Sequence, residues 1–344
     1  MRKVFLTFVV VIISITNIFA QSTLVATLTH GTDITMYYGT TALQSAHNAA
    51  ESGDVINLSG GKFDGFTITK ALTIRGTGVD SALPTSLTTS TINIPGEDTN
   101  RLTMEGINFT NTITMDGTFE KPYFIKCNFL NLNFKSSSNI SKATYINCKV
   151  KRFMEFPGGS KSSIQFLNGY IGYYNNTSSD SGKSIIENSI LYSREYANEI
   201  EKYGNSQFIN CIMIKGGYEN GSVYSIPSSS SGFNCLFVNY KKDPIANSQG
   251  SFVDCMSTSS ISGLFKDYPA TYPDSQTFSA LTFELTDEAK AAYLGIDGKE
   301  VGIYGGDYPY TSTPSYPQIT KMDVSKKASA DGKLNVEIEV NAAE

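Results

Sequence analysis

The sequence predicts an all-β fold, a single-stranded right-handed parallel β-helix with rungs of about 21 residues, and three observations predict it. The first is a phrase that returns: Phe124-Ile-Lys-Cys127, Tyr145-Ile-Asn-Cys148, Phe166-Leu-Asn-Gly169, Ile186-Glu-Asn-Ser189, Phe208-Ile-Asn-Cys211, Gly232-Phe-Asn-Cys235 and Phe252-Val-Asp-Cys255, with Met104-Glu-Gly-Ile107 as a degenerate copy. The second is the spacing. The last residues of these phrases fall at 107, 127, 148, 169, 189, 211, 235 and 255, in steps of 20 to 24. Helical repeats run longer, about 33 to 47 residues, and carry a 3.6-residue apolar period that is absent here. The third is parity: Phe129, Val150, Ile171, Leu191, Met213 and Phe237 each stand two residues past the phrase, on the same strand face as its last residue.

Within a phrase, the aromatic or apolar first residue and the small last residue face the interior. The Asn, Asp or Gly before the last residue marks a tight corner, because those residues best tolerate left-handed backbone. Identical corners stacked in register are expected to bring Asn147, Asn168, Asn188, Asn210 and Asn234 into a ladder of amide-to-amide bonds about 4.8 Å apart. The five cysteines share one phase of the repeat, so they fall in one inward column and read as small core hydrophobes rather than bridges. No histidine accompanies them, which removes the usual zinc patterns.

Both ends of a solenoid need cover. At the front, Thr41 to Glu51 reads as a short amphipathic helix, followed by first strands at Gly53-Asp-Val-Ile-Asn-Leu58 and Phe66 to Gly76. The interval from Gly76 to Gly106, 30 residues, reads as a rung enlarged by an insertion around Asp80 to Ser90. At the back, Leu285 to Tyr293 reads as a second short helix leading into Asp297-Gly-Lys-Glu-Val-Gly-Ile-Tyr-Gly-Gly306. Residues 21–310 are thus the capped β-helix, and 311–344 a linker and a hairpin, with Ile319 to Val324 facing alternating Leu334, Val336, Ile338 and Val340 across a turn at Asp331-Gly332.

The opening phrase, with its Thr-Ile-Arg-Gly76, and the closing one resemble the first and last rungs of bacterial parallel β-helices of the pectate-lyase-like superfamily, over about residues 37 to 310. The resemblance implies the fold and a secreted setting. It implies no single reaction, because lyases, glycosidases, esterases, adhesins and tailspikes share the architecture.

Residues 1–20 read as a secretory signal peptide: Arg2 and Lys3 precede an apolar run of about a dozen residues, too short for a span of about twenty, and cleavage is expected after Ala20. Without Arg2 and Lys3, 25 basic residues face 32 acidic ones, a net charge of −7 that argues against nucleic acid and against a polybasic membrane surface. A secreted or cell-surface location follows, with an extracellular polysaccharide or surface component as the expected partner and no membrane span in the mature chain.

Chemistry is sparse along the rungs. His30 and His47 are the only histidines and both precede the repeats, so Ser-His-Asp and Cys-His sites lack a base there. No Asp-Asp pair occurs, which weighs against the paired carboxylates of glycosidases. A lyase asks only for a base and a cation to neutralise a uronate, and Lys151, Arg152, Arg194 and Lys215 are the candidates. Together with Tyr173, Tyr174 and Tyr240 they fall just past the inward strand on neighbouring rungs, where they would form an exposed basic-aromatic stripe able to hold a sugar by Tyr173, Tyr174, Arg194, Lys215 and Tyr240. Glu155, Glu187 and Glu195 lie close by in sequence. The same residue types also suit an ordinary solvated sheet face. Short rungs leave little to wall a catalytic groove, so the reading favours a non-catalytic, adhesin-like glycan-binding module over a polysaccharide lyase or a structural spacer. No cofactor is expected; a calcium site would need carboxylates meeting from adjacent rungs, which no local motif signals.

Overall fold

The computed structural model describes residues 24–96, 99–176, 183–194, 204–216, 229–239, 250–268, 278–324, 332–333 and 336–341. The expected signal peptide lies outside them. Two long sheets form a parallel β-solenoid. Sheet A has 12 strands and runs from the N-terminal edge to Ser251–Val253; sheet B has 13 and runs from Gly61–Phe63 to Met256–Thr258. Each recurring phrase contributes one strand to sheet A, turns at its Asn, and continues in sheet B.

The corners are left-handed as residue type demands: φ is 52° at Asn147, 49° at Asn168, 45° at Asn188, 51° at Asn210 and 49° at Asn234, with Asp254 and Gly106 at 54° and 66°. Phe124 stacks on Tyr145 at 4.8 Å and Tyr145 on Phe166 at 5.8 Å, one column of the interior. Phe109 and Phe129 stack at 4.8 Å in another. At Gly232, where the aromatic is missing, the Phe252 ring fills the space: an added Cβ would meet it at 2.4 Å. All five cysteines are free thiols. Four are buried, Cys255 is half-buried, and each thiol donates to the carbonyl two residues earlier at 3.3 to 3.5 Å.

The N-terminal end is closed by an antiparallel hairpin and a helix. Strand β1 (Val25–His30) pairs antiparallel with both β2 (Asp33–Tyr38) and Val55–Leu58. Helix α1 (Ala42–Ala49) buries Ala42, Leu43, Ala46 and His47 against the first rung, and its C-terminal carbonyls of His47, Asn48 and Ala50 accept from Lys70 Nζ at 2.7 to 2.9 Å.

Three expectations are corrected here. The Asn corners do not bond amide to amide. Asn168 Nδ2 donates to Ile303 O (3.0 Å) and Gly305 O (2.7 Å), Asn147 Nδ2 to Tyr308 O (2.9 Å) and Asn168 O (3.3 Å), and Asn210 Oδ1 accepts from Ile296 N (2.9 Å). The stacked amides face a returning segment of backbone, whose carbonyls and N–H groups would otherwise be buried unpaired. Second, Asp297 to Gly306 is that segment and not a last rung. Helix α2 (Asp287–Ala292), capped by Thr286 Oγ1 accepting from Ala289 N, precedes it on the flank of the solenoid. Third, the insertion expected around Asp80 to Ser90 in the Gly76 to Gly106 rung is the loop 77–84, because Thr85–Leu87 and Ser90–Ile92 are strands of sheet B.

The returning segment continues past the predicted linker boundary at 311. Ser315 donates from N and Oγ to the buried Glu105 carboxylate, Tyr316 hydroxyl donates to Gly76 O, and the Arg75 guanidinium lies 5.5 Å from the Tyr316 ring. The hairpin that follows, Gln318–Val324 with Val336–Asn341, pairs Ile319 with Val340, Met322 with Ile338 and Val324 with Val336.

Candidate functional site

The outer face of sheet B divides into two zones. From Tyr170 to Val238 its outward residues Tyr170, Ile190, Tyr192, Ile212, Ile214, Leu236 and Val238 form a second core with Leu264, Phe278, Phe283 and others of residues 261–303. Phe283 stacks on Tyr170 at 5.0 Å and Phe278 on Tyr192 at 4.1 Å. These strands are buried on both faces, so they read as continuous apolar runs. From Ser86 to Lys151 the outward residues are polar apart from Leu130, and this cover reaches only the last rung, at Lys149.

A groove of about 410 Å³ lies on that open zone, within the range of small-ligand pockets, about 300–1,000 Å³. Its floor comes from neighbouring strands: Ser86, then Asn108 and Thr110, then Asn128 and Leu130, then Lys151. Register places Asn128 between Asn108 and Lys149. Asn128 Nδ2 donates to Asn108 Oδ1 at 2.9 Å, and Asn108 Nδ2 to Val79 O at 3.3 Å. An amide-to-amide bond of the kind expected at the corners therefore exists here, outward and two residues later in the repeat. One wall is the 77–84 loop, which presents Asp80 and is closed by reciprocal bonds: Thr77 N donates to Thr85 Oγ1 (2.9 Å) and Thr85 N to Thr77 Oγ1 (3.0 Å).

Lys149 stands where the two zones meet. Its Nζ lies 5.4 Å from the Phe283 ring centre and 5.1 Å from that of Tyr310, with Leu281 O at 3.5 Å. Burial pushes this ammonium below the usual lysine range; Asp80 opposes the shift, Lys151 adds to it, and Asp267 opposes it. Burial raises the Tyr310 phenol, with Asp80 adding to the effect.

Of the residues predicted from sequence, Lys151 lines the groove and Arg152 beside it is exposed. Tyr173 is half-buried on the next rung, its carbonyl accepting from Met154 N at 2.8 Å. Tyr174 does not share that face. It is 3% exposed, sits in the interior, and its hydroxyl is 2.9 Å from Ser206 Oγ. Lys215 is buried on the covered half. Arg194 pairs in register with Gly216, while its side chain and the whole of Tyr240 lie outside the described residues. The described members thus do not make one exposed stripe: a kink at Gly172 turns Tyr174 inward, and the cover takes the later rungs. Sequence reasoning missed Asn108, Asn128 and Lys149. Their signal was available, a polar residue directly after each phrase where later rungs carry Tyr170, Ile190, Ile212 and Leu236.

Among the described residues no three His, Cys, Asp or Glu side chains converge as a metal site. Comparison with family models, curated proteins and solved structures finds no match to this chain.

Proposed function

We propose that this chain is a secreted or surface-exposed, non-catalytic module that binds an extracellular glycan in the sheet B groove, an adhesin-like member of the pectate-lyase-like β-helices. The observation that carries this reading is the floor of the groove. Asn108 and Asn128 offer planar amides held in register by their mutual bond, and Asp80 and Lys151 add a charged acceptor and donor around them. Pre-set polar groups on a rigid sheet suit the hydroxyl array of a sugar, because little ordering remains to be done on binding.

The expected result on a glycan array is a restricted set of hits that falls at least tenfold in an Asn128→Ala/Lys151→Ala variant of unchanged circular dichroism. Equal binding by the two proteins would sink the groove as the site. An ultraviolet assay for unsaturated uronate products, run over acidic polysaccharides with calcium, addresses the reaction. Product that forms with wild type and vanishes with Lys151→Ala would replace the binding reading with a lyase.

A further inference from the structure

We propose that Lys149 and Lys151 form an anion subsite at the end of the groove that meets the cover, one that takes a carboxylate or sulfate group at the end of a bound glycan chain. Three observations meet here. The first is that the column of outward residues through the groove floor meets the cover on this side, just past the lining at Lys151. Along the solenoid, the outward column Ser86, Asn108, Asn128, Lys149 is followed by Tyr170, which lies under Phe283. A chain lying on the amides therefore runs into the cover at Lys149, so this position meets a terminus or a short branch and not the middle of a polymer.

The second is charge. Among the described residues no carboxylate oxygen stands within 4.0 Å of either Lys149 or Lys151. Lys149 is half-buried, with two aromatic rings and one distant carbonyl around its ammonium. Cations withdrawn from water are normally matched by an anion, since ring faces offset only part of the lost hydration. The third is geometry: both lysines lie on one strand, Lys149–Phe156, two residues apart and so on one face, the arrangement that brings two ammonium groups to a single anion. Asp80 and Asp267 act on Lys149 from beyond ion-pair distance and favour its charged form.

This inference rests on the groove being the binding site, and its test separates the two. Glucose, glucuronic acid and glucose 6-sulfate are titrated into the full chain by NMR, with wild type, Lys149→Met and Lys151→Met. Wild type is expected to bind at least one anionic sugar ten times or more tighter than glucose; the carboxylate and sulfate arms identify which anion. Lys149→Met is expected to remove that preference while its chemical shifts elsewhere stay those of wild type. The preference is also expected to fade with rising pH before an ordinary lysine would titrate, because Lys149 must carry its proton to hold the anion. Equal affinity for the three sugars in wild type, or an anion preference untouched in both variants, overturns the subsite. If array glycans bind but show no dependence on Lys149, the subsite falls and glycan binding stands. If glucuronic acid binds through Lys149 while no array glycan binds, the subsite stands and the glycan reading falls.

Discussion

The two halves of sheet B's outer face are built from the same repeat and end up in opposite environments. On the strands at Asn108 and Lys149 an inward apolar residue alternates with outward polar ones, as in Asn108-Phe109-Thr110 and Lys149-Val150-Lys151, and on the strand between them Asn128-Phe129-Leu130 keeps one polar neighbour. On the later strands both neighbours of the inward residue are apolar, as in Ile190-Leu191-Tyr192, Ile212-Met213-Ile214 and Leu236-Phe237-Val238. The inward residue is unchanged in kind between the halves, so the rung itself is indifferent to the switch. What changes is the cover of the outer face: residues 261–303 lie over one half and leave a groove open on the other. The same rung thus leaves a groove where its cover ends.

The comparison breaks most visibly if the covered half loses a ring. Tyr192 is 2% exposed and stacked on Phe278, and Tyr192→Ala is expected to cost about 3–5 kcal/mol. Leu130→Ala, at the equivalent outward position of the open half, is expected to cost about 1 kcal/mol or less. Urea unfolding of the two variants measures the contrast, and similar losses would show that the cover contributes little.

Next in size is the seam that holds the cover down. Asn168→Ala removes two hydrogen bonds to Ile303 and Gly305 and forces a Cβ-bearing residue without a polar side chain to keep φ near 49°, for an expected loss of about 2–3 kcal/mol. Asn168→Gly keeps the corner at ease and loses only the bonds. Hydrogen exchange of the amides of residues 301–306 should quicken in both variants, whereas global stability should suffer less in the glycine one.

The seam also shows what was legible. The period of the rungs, their left-handed corners and their interior columns could be read directly, because stacking at one strand spacing forces the same residue type into the same place turn after turn. The cover could not, since residues 261–316 carry no repeat and their partners on the solenoid, such as Asn147 for Tyr308, lie far away in sequence. Asn168 was placed correctly at its corner, but the partner of its amide came from 135 residues away. Tyr174 was misjudged for a different reason. Counting from the phrase assumes an unbroken strand, and the register shifts in this region: Val150 pairs with Ile171, yet Met154 pairs with Tyr174. Lys151 could be found as a charged residue beside an inward strand, whereas Lys149 draws its importance from Phe283 and Tyr310, which lie far along the chain.

On the open half, Asn128→Ala is expected to lower stability by about 1 kcal/mol, the net value of one side-chain hydrogen bond, while weakening ligand binding far more. A loss of several kcal/mol would mean that the amide pair is part of the framework and not of the site.

The smallest effect on stability is expected at the boundary, and its sign is the informative part. Burial holds the folded-state pKa of Lys149 below its unfolded value, near 10.4 in ordinary lysines. As pH rises toward the ordinary lysine range, the folded chain releases this proton before the unfolded chain does. The unfolded state then binds more protons, and stability rises with pH until both states are neutral. Tyr310, whose pKa burial raises, works the other way above about pH 10, where the unfolded phenol ionises first. Urea midpoints of wild type and Lys149→Met, compared between pH 8 and 10, separate the two, because both proteins keep Tyr310. Wild type is expected to gain on the variant as pH rises. A constant difference would show that Lys149 titrates as it does in water, and would return the boundary of the cover to ordinary surface.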